Sequence, residues 1–424
     1  MIKIINYKNK NSLNQIKKFL EKRREENNKN YKKVSQILQN IKKNRFKALK
    51  KYEIKFSKNK NININKKDIN EKIKKLDPKV KKAIDYAYNR IKRFHLLQVK
   101  KIKNIKYIDS LKNKLEYKYL PIESVGIYVP GNLPSTLLMN AIPAKLAKVK
   151  KLILATPKVD GKLNAGILYA AKKSGVNEIY CMGGAQAIGS LAYLQKVNKI
   201  VGPGNVFVSE AKRQLSGKLI GTESMYAGAS EICILADRYT NTDQIITSMI
   251  SQAEHDKESQ CILVTKDKKS NSKIKKGIAK SLKHLPRKMI ASKSLKKNGL
   301  IINLKNDRQA IDVINEIAPE HLELNVKNFK KFENKIINAG SICNGKFTPM
   351  SVSDYTVGTN HVLPTAGTSK FSSGLNVNEF LKKTSIVTLS KLGVEKIGNQ
   401  AITLSEFEQL DGHTQSIKSR IRRN

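Results

Sequence analysis

The sequence lacks tryptophan and is poor in other aromatic residues, which make up 6% of its 424 positions. The core of a chain this long must therefore consist mainly of Ile, Leu, Val and Ala, a composition that suits helices layered on sheets. No run of about 18 apolar residues occurs, and no secretory signal is evident at the amino terminus. These absences predict a soluble, cytoplasmic protein without a membrane span.

Paired cysteines are also missing, because Cys181, Cys233, Cys261 and Cys343 stand far apart and none forms a C-x-x-C pair. The spacing argues against a disulfide framework and against a structural zinc knuckle, so free thiols are expected. Cys181 precedes a glycine turn and has two interpretations. We favour a small buried apolar residue; the alternative is a thiolate that attacks an aldehyde.

Acidic residues are scarce, since 34 Asp and Glu face 82 Lys and Arg, for a net charge of +48. A balance this basic is typical of proteins that bind nucleic acid or anionic membranes. Here the excess is mostly lysine, and it is spread through the chain rather than gathered in one stripe. We therefore expect a solvated basic surface without a specific nucleic-acid partner. A catalytically weakened homologue that binds polyanions is the alternative.

Glycine is absent before Gly126, where the pattern of the sequence changes. The preceding part is rich in Lys and Asn and has helical periodicity, with Ile84, Ala87 and Phe94 on one apolar face. The stretch 58–67 is interpreted as a solvated helix connection. From about residue 124 to 375, short β-rich runs alternate with helical segments, which predicts βαβ units and a mostly parallel sheet. The remainder is predicted to be helical.

Glycine-bearing loops follow predicted strands at four places: VPGN at 129–132, MGGAQAIG at 182–189, VGPGN at 201–205 and YAGASE at 226–231. Such glycines let backbone amides approach a phosphate at the start of a helix. None is a G-x-G-x-x-G fingerprint, and each by itself is more simply a tight turn. Together they predict one ligand-binding edge, where Tyr128, Gln186 and Asn205 offer hydrogen bonds.

Residues suited to metal binding cluster in short segments. In SQAEH, Gln252 and His255 are spaced to share one side of a helix, and Asp354 lies in a predicted loop. Glu408 and His413 lie near the carboxyl terminus on a predicted helix, but not on the same face of it. Nitrogen and oxygen ligands with an open position are typical of catalytic zinc. From spacing alone, each residue is more often an ordinary surface group.

The segment APEHLE, residues 318–323, places an acid beside an imidazole just after a proline. Glu320 and His321 can supply two proton acceptors of different pKa at one site. This adjacency favours a catalytic site over a set of unrelated surface groups.

The segments GGAQAI, GPGN, EAKRQ, SQAEHD, APEHLEL, SDYTVGTNHVLPT and FSSGL occur together in this order. In them, from about Ser124 to His413, the chain resembles the histidinol dehydrogenase family. The resemblance implies two incomplete Rossmann-like α/β domains with helical extensions, in an intertwined homodimer. The implied domains are a helical segment 1–24, a first α/β domain formed by 25–123 and 236–375, an NAD-binding domain 124–235, and an extension 376–424 that reaches the partner subunit's site.

The resemblance further implies NAD-dependent oxidation of L-histidinol to L-histidine through bound L-histidinal, in histidine biosynthesis. His321 would accept the alcohol proton, and Glu320 would activate water. One Zn²⁺ per subunit would have as ligands Gln252, His255, Asp354 and, across the dimer, His413. The same four residues would contact the substrate, together with Ser230, His321 and Glu408. The cofactor would contact Tyr128, Gln186 and Asn205.

Four departures from the family pattern lie in or near these regions. The loop around Asn132 is shorter than usual, Ala229 replaces a common proline, Ser224 a frequent Asp, and Ser353 a frequent Gly. They bear on cofactor affinity and rate more than on reaction type, because no proposed ligand or proton acceptor is lost. A homologue that has lost its activity is a third interpretation.

Overall fold

A computed structural model of the chain describes residues 2–25, 30–223 and 228–421. Its contacts define two units, one formed by Met1–Leu97 with Ile122–Phe380 and the other by Gln98–Pro121 with Leu381–Asn424. Within the described ranges, every helix is too short or too polar to cross a lipid bilayer. Both units combine helices with strands, so the fold is mixed α/β.

The strands, numbered along the chain, are β1 (Lys3–Asn6), β2 (Ile105–Ile108), β3 (Lys114–Pro121), β4 (Ser124–Tyr128), β5 (Lys151–Ala155), β6 (Glu178–Tyr180), β7 (Lys199–Val201), β8 (Gly221–Thr222), β9 (Glu231–Ala236), β10 (Gln260–Thr265), β11 (Gly299–Asn303), β12 (His321–Asn325), β13 (Ser341–Asn344) and β14 (Leu381–Thr388). The helices are α1 (Lys10–Glu25), α2 (Tyr31–Ser57), α3 (Lys66–Lys74), α4 (Pro78–Lys101), α5 (Pro134–Leu146), α6 (Ala165–Lys173), α7 (Gly184–Tyr193), α8 (Val206–Leu215), α9 (Thr242–Ala253), α10 (Asn271–Lys283), α11 (Lys288–Asn298), α12 (Asp307–Ile317), α13 (Lys330–Glu333), α14 (Met350–Ser353), α15 (Lys391–Phe407) and α16 (Asp411–Ile421).

The first unit contains a five-stranded parallel sheet in the order β6-β5-β4-β7-β8. Numbered from β4, this is the order 3-2-1-4-5 of doubly wound sheets, which bind nucleotides where the strand order reverses. Here the reversal lies between β4 and β7. One face of the sheet packs on α7 and α8, and α2 covers α7 through Val34, Leu38 and Ile41.

A second parallel sheet of the same unit has the order β1-β11-β10-β9-β12-β13. Its strands β9 to β13 repeat the order 3-2-1-4-5, with β1 added at one edge. Side chains of β12 alternate between its faces. Leu322 and Leu324 join the core under α1 and α12, while the other face packs on α9, α10 and α11.

The second unit holds a three-stranded antiparallel sheet, β14-β3-β2, and the packed pair of helices α15 and α16. Strands β1, β2 and β3 precede Gly126, and β14 follows residue 375. The prediction of helices alone in these regions was therefore wrong. The strands form because β3 pairs with a segment far along the chain, a contact that local periodicity does not report. The predicted domain boundaries stay a prediction.

Two local predictions also need correction. Helix α4 buries Ile84, Ala87, Ile91 and His95, whereas Phe94 is 42% exposed. The predicted apolar face is therefore confirmed at Ile84 and Ala87, but His95 is buried in place of Phe94. Residues 58–65 connect α2 and α3 as predicted, but the connection is not fully solvated. Ile62 is buried, and its carbonyl accepts a hydrogen bond from the backbone N–H that follows β6.

Candidate functional site

Glu320 and His321 lie at the amino end of β12, and both side chains are buried. The backbone of Glu231, the first residue of the neighbouring β9, holds both of them. Its N–H donates to Glu320 Oε2 at 2.7 Å, and its carbonyl accepts from His321 Nδ1 at 3.3 Å. With the Nδ1 proton used in this way, Nε2 is the ring atom free to take up or release a proton.

Asp354 faces that second nitrogen. It caps the carboxyl end of α14 rather than lying in a loop as predicted. Its Oδ1 lies 3.3 Å from His321 Nε2, within reach of a strong charge interaction. The angle is not that of a hydrogen bond, and Nε2 has no aligned partner among the described residues. His361 holds the backbone of Asp354, since its Nδ1 donates to the Asp354 carbonyl at 2.6 Å.

The three ionisable groups shift one another's pKa. Burial raises the pKa of Glu320 to about 8, despite the opposing charge of His321. Burial by itself lowers the pKa of His321, but the carboxylates of Glu320 and Asp354 outweigh it and raise the value to about 9. Burial by itself raises the pKa of Asp354, but His321 outweighs it and holds the value below its usual range. The three groups are therefore coupled, and a proton gained or lost by one of them changes the pKa of the other two.

Gln252 lies near the end of α9, and His255 follows it, close enough to Asp354 and His321 for their charges to act on its pKa. Gln252 is fully buried, and neither atom of its amide has a hydrogen-bond partner in the described part of the chain. An unsatisfied buried amide costs about 1–3 kcal/mol, which indicates a site built to be completed by something else. The two residues do not share a helix face as predicted, because α9 ends at Ala253 and His255 lies beyond it in a turn.

His255 is exposed on one side. Crowding of its ring by protein atoms nevertheless lowers its pKa, against the pull of the Asp354 charge. An amide, a carboxylate and an imidazole on neighbouring segments are donor types that Zn²⁺ accepts. Within the described ranges, no three His, Cys, Asp or Glu side chains are grouped closely enough to hold a metal by themselves.

Glu408 and His413 belong to the second unit, and both are exposed. The prediction that one helix carries them was wrong. Glu408 caps α15, and Gln409 then adopts a left-handed conformation with φ of 59°, so His413 lies on the separate helix α16.

The carboxyl edge of the five-stranded sheet brings together two of the predicted cofactor residues. Tyr128 ends β4, and its hydroxyl accepts from the Gly184 N–H at 3.2 Å. Gln186 lies in the first turn of α7 and donates through Nε2 to Glu53 Oε1 at 2.9 Å. The Gly183 N–H donates to the same oxygen at 2.9 Å. The glycine turn after β6 is thus held by the Tyr128 hydroxyl and by the Glu53 carboxylate.

Asn205 lies in the next loop, where its side chain caps α8 by accepting from two backbone N–H groups. The loops after β4 and β7 approach closely, since a Cβ on Gly202 would lie 2.1 Å from the Tyr128 carbonyl oxygen. Lys212 supports this turn by donating to the Gly202 carbonyl at 2.9 Å and to Glu223. The crevice between β4 and β7 is where a doubly wound sheet takes a dinucleotide.

The carboxyl edge of the six-stranded sheet differs, because its two central loops bond to each other. The Lys327 N–H donates to Asp237 Oδ2 at 3.0 Å, and Thr240 Oγ1 donates to the Asn325 carbonyl. The expectation that strand ends form one ligand-binding edge therefore holds for only part of the site. The acid-base and metal-binding candidates lie at the amino edge.

The remaining predicted residues belong neither to the acid-base cluster nor to the glycine turn. Ser230 and Ala229 lie in the partly exposed loop that enters β9, and Asn132 is exposed. Ser353 is buried, and its hydroxyl donates to the Met350 carbonyl at 2.6 Å. Ser224 and the first residues of YAGASE, 226 and 227, lie outside the described residues.

Cys181 is buried, and its backbone N–H donates to the Ile62 carbonyl at 2.7 Å. Burial raises the pKa of its thiol to about 11. A thiol of this kind is a poor nucleophile near neutral pH. The geometry therefore favours the interpretation as a small apolar residue.

Several supporting residues were missed from the sequence. Glu231 and His361 hold the acid-base cluster, and Glu53 holds the glycine turn. Glu323 is two residues beyond His321 on β12, so strand periodicity could have placed it on the same face. Glu53 stands alone in a lysine-rich helix, and no local pattern distinguishes it.

Comparison with known proteins gives a consistent result. The model of the family described as histidinol dehydrogenase matches residues 20–421. The histidinol dehydrogenase of Pelagibacter ubique is 50% identical over 430 residues, which cover 100% of each chain. Histidinol dehydrogenase 1 of Nostoc sp. is 41% identical over 360 residues, or 83% of each chain. The crystal structure of histidinol dehydrogenase from Elizabethkingia anophelis has a TM-score of 0.90 at 33% identity and covers 99% of this chain and 98% of that one.

Proposed function

The chain belongs to the histidinol dehydrogenase family of oxidoreductases, and on that premise we propose that it oxidises L-histidinol to L-histidine through bound L-histidinal. NAD⁺ would serve as the hydride acceptor, and zinc as the resident metal. This would be the end of histidine biosynthesis. The observation that carries the proposal is the fully buried amide of Gln252, which has no partner among the described residues, in a chain that also buries the His321–Asp354 pair. The alternative of a weakened, polyanion-binding homologue is not favoured, because no candidate ligand or proton acceptor is missing.

Gln252, His255 and Asp354 would hold the metal, with His413 of the partner subunit as a further ligand. An amide oxygen without a partner in the described part of the chain fits this role, because a metal bond would satisfy it. When bound, zinc would hold the imidazole and amino nitrogens of the substrate, and NAD⁺ would accept a hydride in each oxidation. Ser230 and the partner subunit's Glu408 would complete the substrate contacts.

His321 would take the alcohol proton at Nε2. The bond from Nδ1 to the Glu231 carbonyl keeps the ring oriented while this happens. To act as a base, the ring must first be neutral. A cation at Asp354 would offset the carboxylate that raises the pKa of His321, and so would favour the neutral form.

Glu320 would serve the second oxidation by taking a proton from water as it adds to the aldehyde. Burial raises its pKa to about 8, a value suited to exchanging protons near neutral pH. The Glu231 N–H fixes the carboxyl group in place. Because these side chains are buried, the reactive aldehyde would be kept from bulk water between the two oxidations.

Tyr128, Gln186 and Asn205 would hold NAD⁺ at the crevice between β4 and β7. The strand order supports this assignment, since nucleotides bind doubly wound sheets at that reversal. Gly184, in the turn before α7, has a φ of 64°, a left-handed conformation that glycine adopts without strain.

The proposed assembly is a homodimer with shared sites. The second unit exposes many large apolar side chains, and such side chains can form a surface that a partner covers. A second copy of the chain would cover them and bring its own Glu408 and His413 to the site. They include Tyr107, Ile108, Val387, Leu404 and Phe407.

The test is NADH formation from L-histidinol by the purified, zinc-loaded protein, repeated after chelation. Alcohol-to-acid oxidation should yield about two NADH per substrate consumed, since each hydride transfer reduces one cofactor. Activity should disappear on chelation and return with Zn²⁺. No NADH from a folded, zinc-bound dimer would contradict the proposal.

A further inference from the structure

Glu323 is a buried carboxylate on β12, only 4% exposed. It lies two residues beyond His321 and therefore on the same face of the strand. A single atom, Oε1, accepts a hydrogen bond from Ser248 Oγ at 3.1 Å and another from the Met350 N–H at 2.7 Å.

Each partner of this oxygen belongs to an element that carries a proposed metal ligand. Ser248 lies on α9, one helical turn before Gln252, so the two share a face. Met350 is the first residue of α14, and Asp354 caps the other end of that helix. Three elements, β12, α9 and α14, thus meet at one carboxylate oxygen.

Stability alone does not explain a carboxylate in this place. A buried charge is costly, and an apolar residue of similar volume is often neutral or stabilising at such a position. The neighbouring Leu322 and Leu324 fill the opposite face with ordinary apolar packing. The short helix α14 makes a single turn, so its amino end needs an anchor if Asp354 is to be held still.

We propose that Glu323 is a positioning residue, which sets the spacing of Gln252, Asp354 and His321 so that the metal site is formed in advance of binding. The inference rests on the proposed zinc site and extends it to a residue that touches neither metal nor substrate. Partners that orient metal ligands typically change metal affinity by about 10–100-fold when they are removed.

The test measures zinc affinity of the full-length protein by competition with a chromophoric chelator. Glu323→Ala should weaken zinc binding about 10–100-fold. Glu323→Gln should recover most of the loss, because its amide oxygen still accepts both hydrogen bonds. Cobalt absorption spectra of the same variants should change with Glu323→Ala and revert with Glu323→Gln, a signature that a loss of stability alone does not produce.

If Glu323→Ala fails to fold, a matched pair of serine variants tests the same proposal. Ser248 and Ser124 are each 8% exposed, and each hydroxyl donates to a side-chain acceptor, but Ser124 lies on β4. Ser248→Ala should weaken zinc binding by roughly fivefold, the loss of one hydrogen bond, whereas Ser124→Ala should leave it unchanged. In a folded Glu323→Ala background, Ser248→Ala should add nothing further.

Asp354→Ala distinguishes a failure of the proposed role of Glu323 from a failure of the proposed zinc site. If it weakens zinc binding while a folded Glu323→Ala variant and Ser248→Ala both retain wild-type affinity, the role of Glu323 is overturned and the metal site stands. If Asp354→Ala itself retains wild-type affinity, the proposed metal site is wrong and the inference falls with it.

Discussion

His321 Nε2 lies 3.3 Å from Asp354 Oδ1, and both side chains are buried at the amino edge of the six-stranded sheet. The pair joins the proposed proton acceptor to a proposed metal ligand. A change at one is therefore felt at the other, and the variants below separate the two roles.

Replacing His321 by Asn should lower kcat about 10²–10⁴-fold, the usual contribution of a positioned proton acceptor. Zinc affinity should change less than kcat, because His321 contacts the proposed ligand Asp354 but is not itself a proposed ligand. Steady-state kinetics and chelator competition measure the two effects. His284→Asn, at an exposed histidine after α10, should alter neither. Full activity in His321→Asn would remove this residue from the mechanism.

Replacing Glu320 by Gln should spare the first oxidation and impair the second. The amide can still accept from the Glu231 N–H, but it cannot take a proton from water. NADH formed per histidinol should fall from about two toward about one, with the aldehyde accumulating. Trapping the aldehyde with a hydrazine reagent measures this. An unchanged ratio with no trapped aldehyde would contradict the assignment.

Glu53→Ala should weaken binding of the cofactor without affecting binding of the substrate. It removes the acceptor of both the Gly183 N–H and the Gln186 amide, and the glycine turn loses its support. KM for NAD⁺ should rise about tenfold, which is the effect of losing one to two hydrogen bonds. KM for histidinol and kcat at saturating NAD⁺ should stay unchanged. Glu71→Gln, at an exposed glutamate, is the control. A rise in KM for histidinol instead would argue against a cofactor role for this turn.

Cys181→Ala should leave turnover nearly intact. The buried thiol has its pKa raised from 9.0 to about 11, so its thiolate is scarce below that pH. Iodoacetamide should label Cys181 slowly at neutral pH and faster as the pH rises toward that value. Mass spectrometry of the labelled peptide measures the rate. Selective loss of the second oxidation in Cys181→Ala would instead support covalent catalysis.

Phe407→Asp should disrupt the proposed homodimer. Phe407 is 84% exposed at the end of α15, and a charge there is costly if a second copy covers it. Analytical ultracentrifugation should show monomers with little activity, because the partner's His413 would be lost from each site. Phe371→Asp alters a phenylalanine of similar exposure, 78%, in the first unit and is the comparison. Dimers that persist in Phe407→Asp would place the interface elsewhere.

The parallel sheets could be predicted because their strands are short, continuous apolar runs. EICILA and QCILVT are buried along their whole length as β9 and β10. Strands β3 and β14 escaped prediction because their side chains are mostly exposed and the two segments lie far apart in the chain. Pairing of this kind depends on the tertiary fold rather than on local periodicity.

The types of residue at the site could also be predicted, but their connections could not. Motifs indicated Gln252, Asp354 and His321, while their orientation depends on elements that meet only in the fold. Glu323 is the partial exception, since its spacing from His321 indicates a shared face. No local signal indicates that its partners would come from α9 and α14.

The closed carboxyl edge of the six-stranded sheet has a practical consequence for ligand design. Both sheets share the strand order that usually guides fragment placement to the carboxyl ends of strands. In the six-stranded sheet, Lys327 and Asp237 already bond across that position. An inhibitor directed there by analogy would have to displace the protein's own contacts. If the proposed site is right, compounds intended to compete with substrate should instead be built toward the amino ends of β9 and β12.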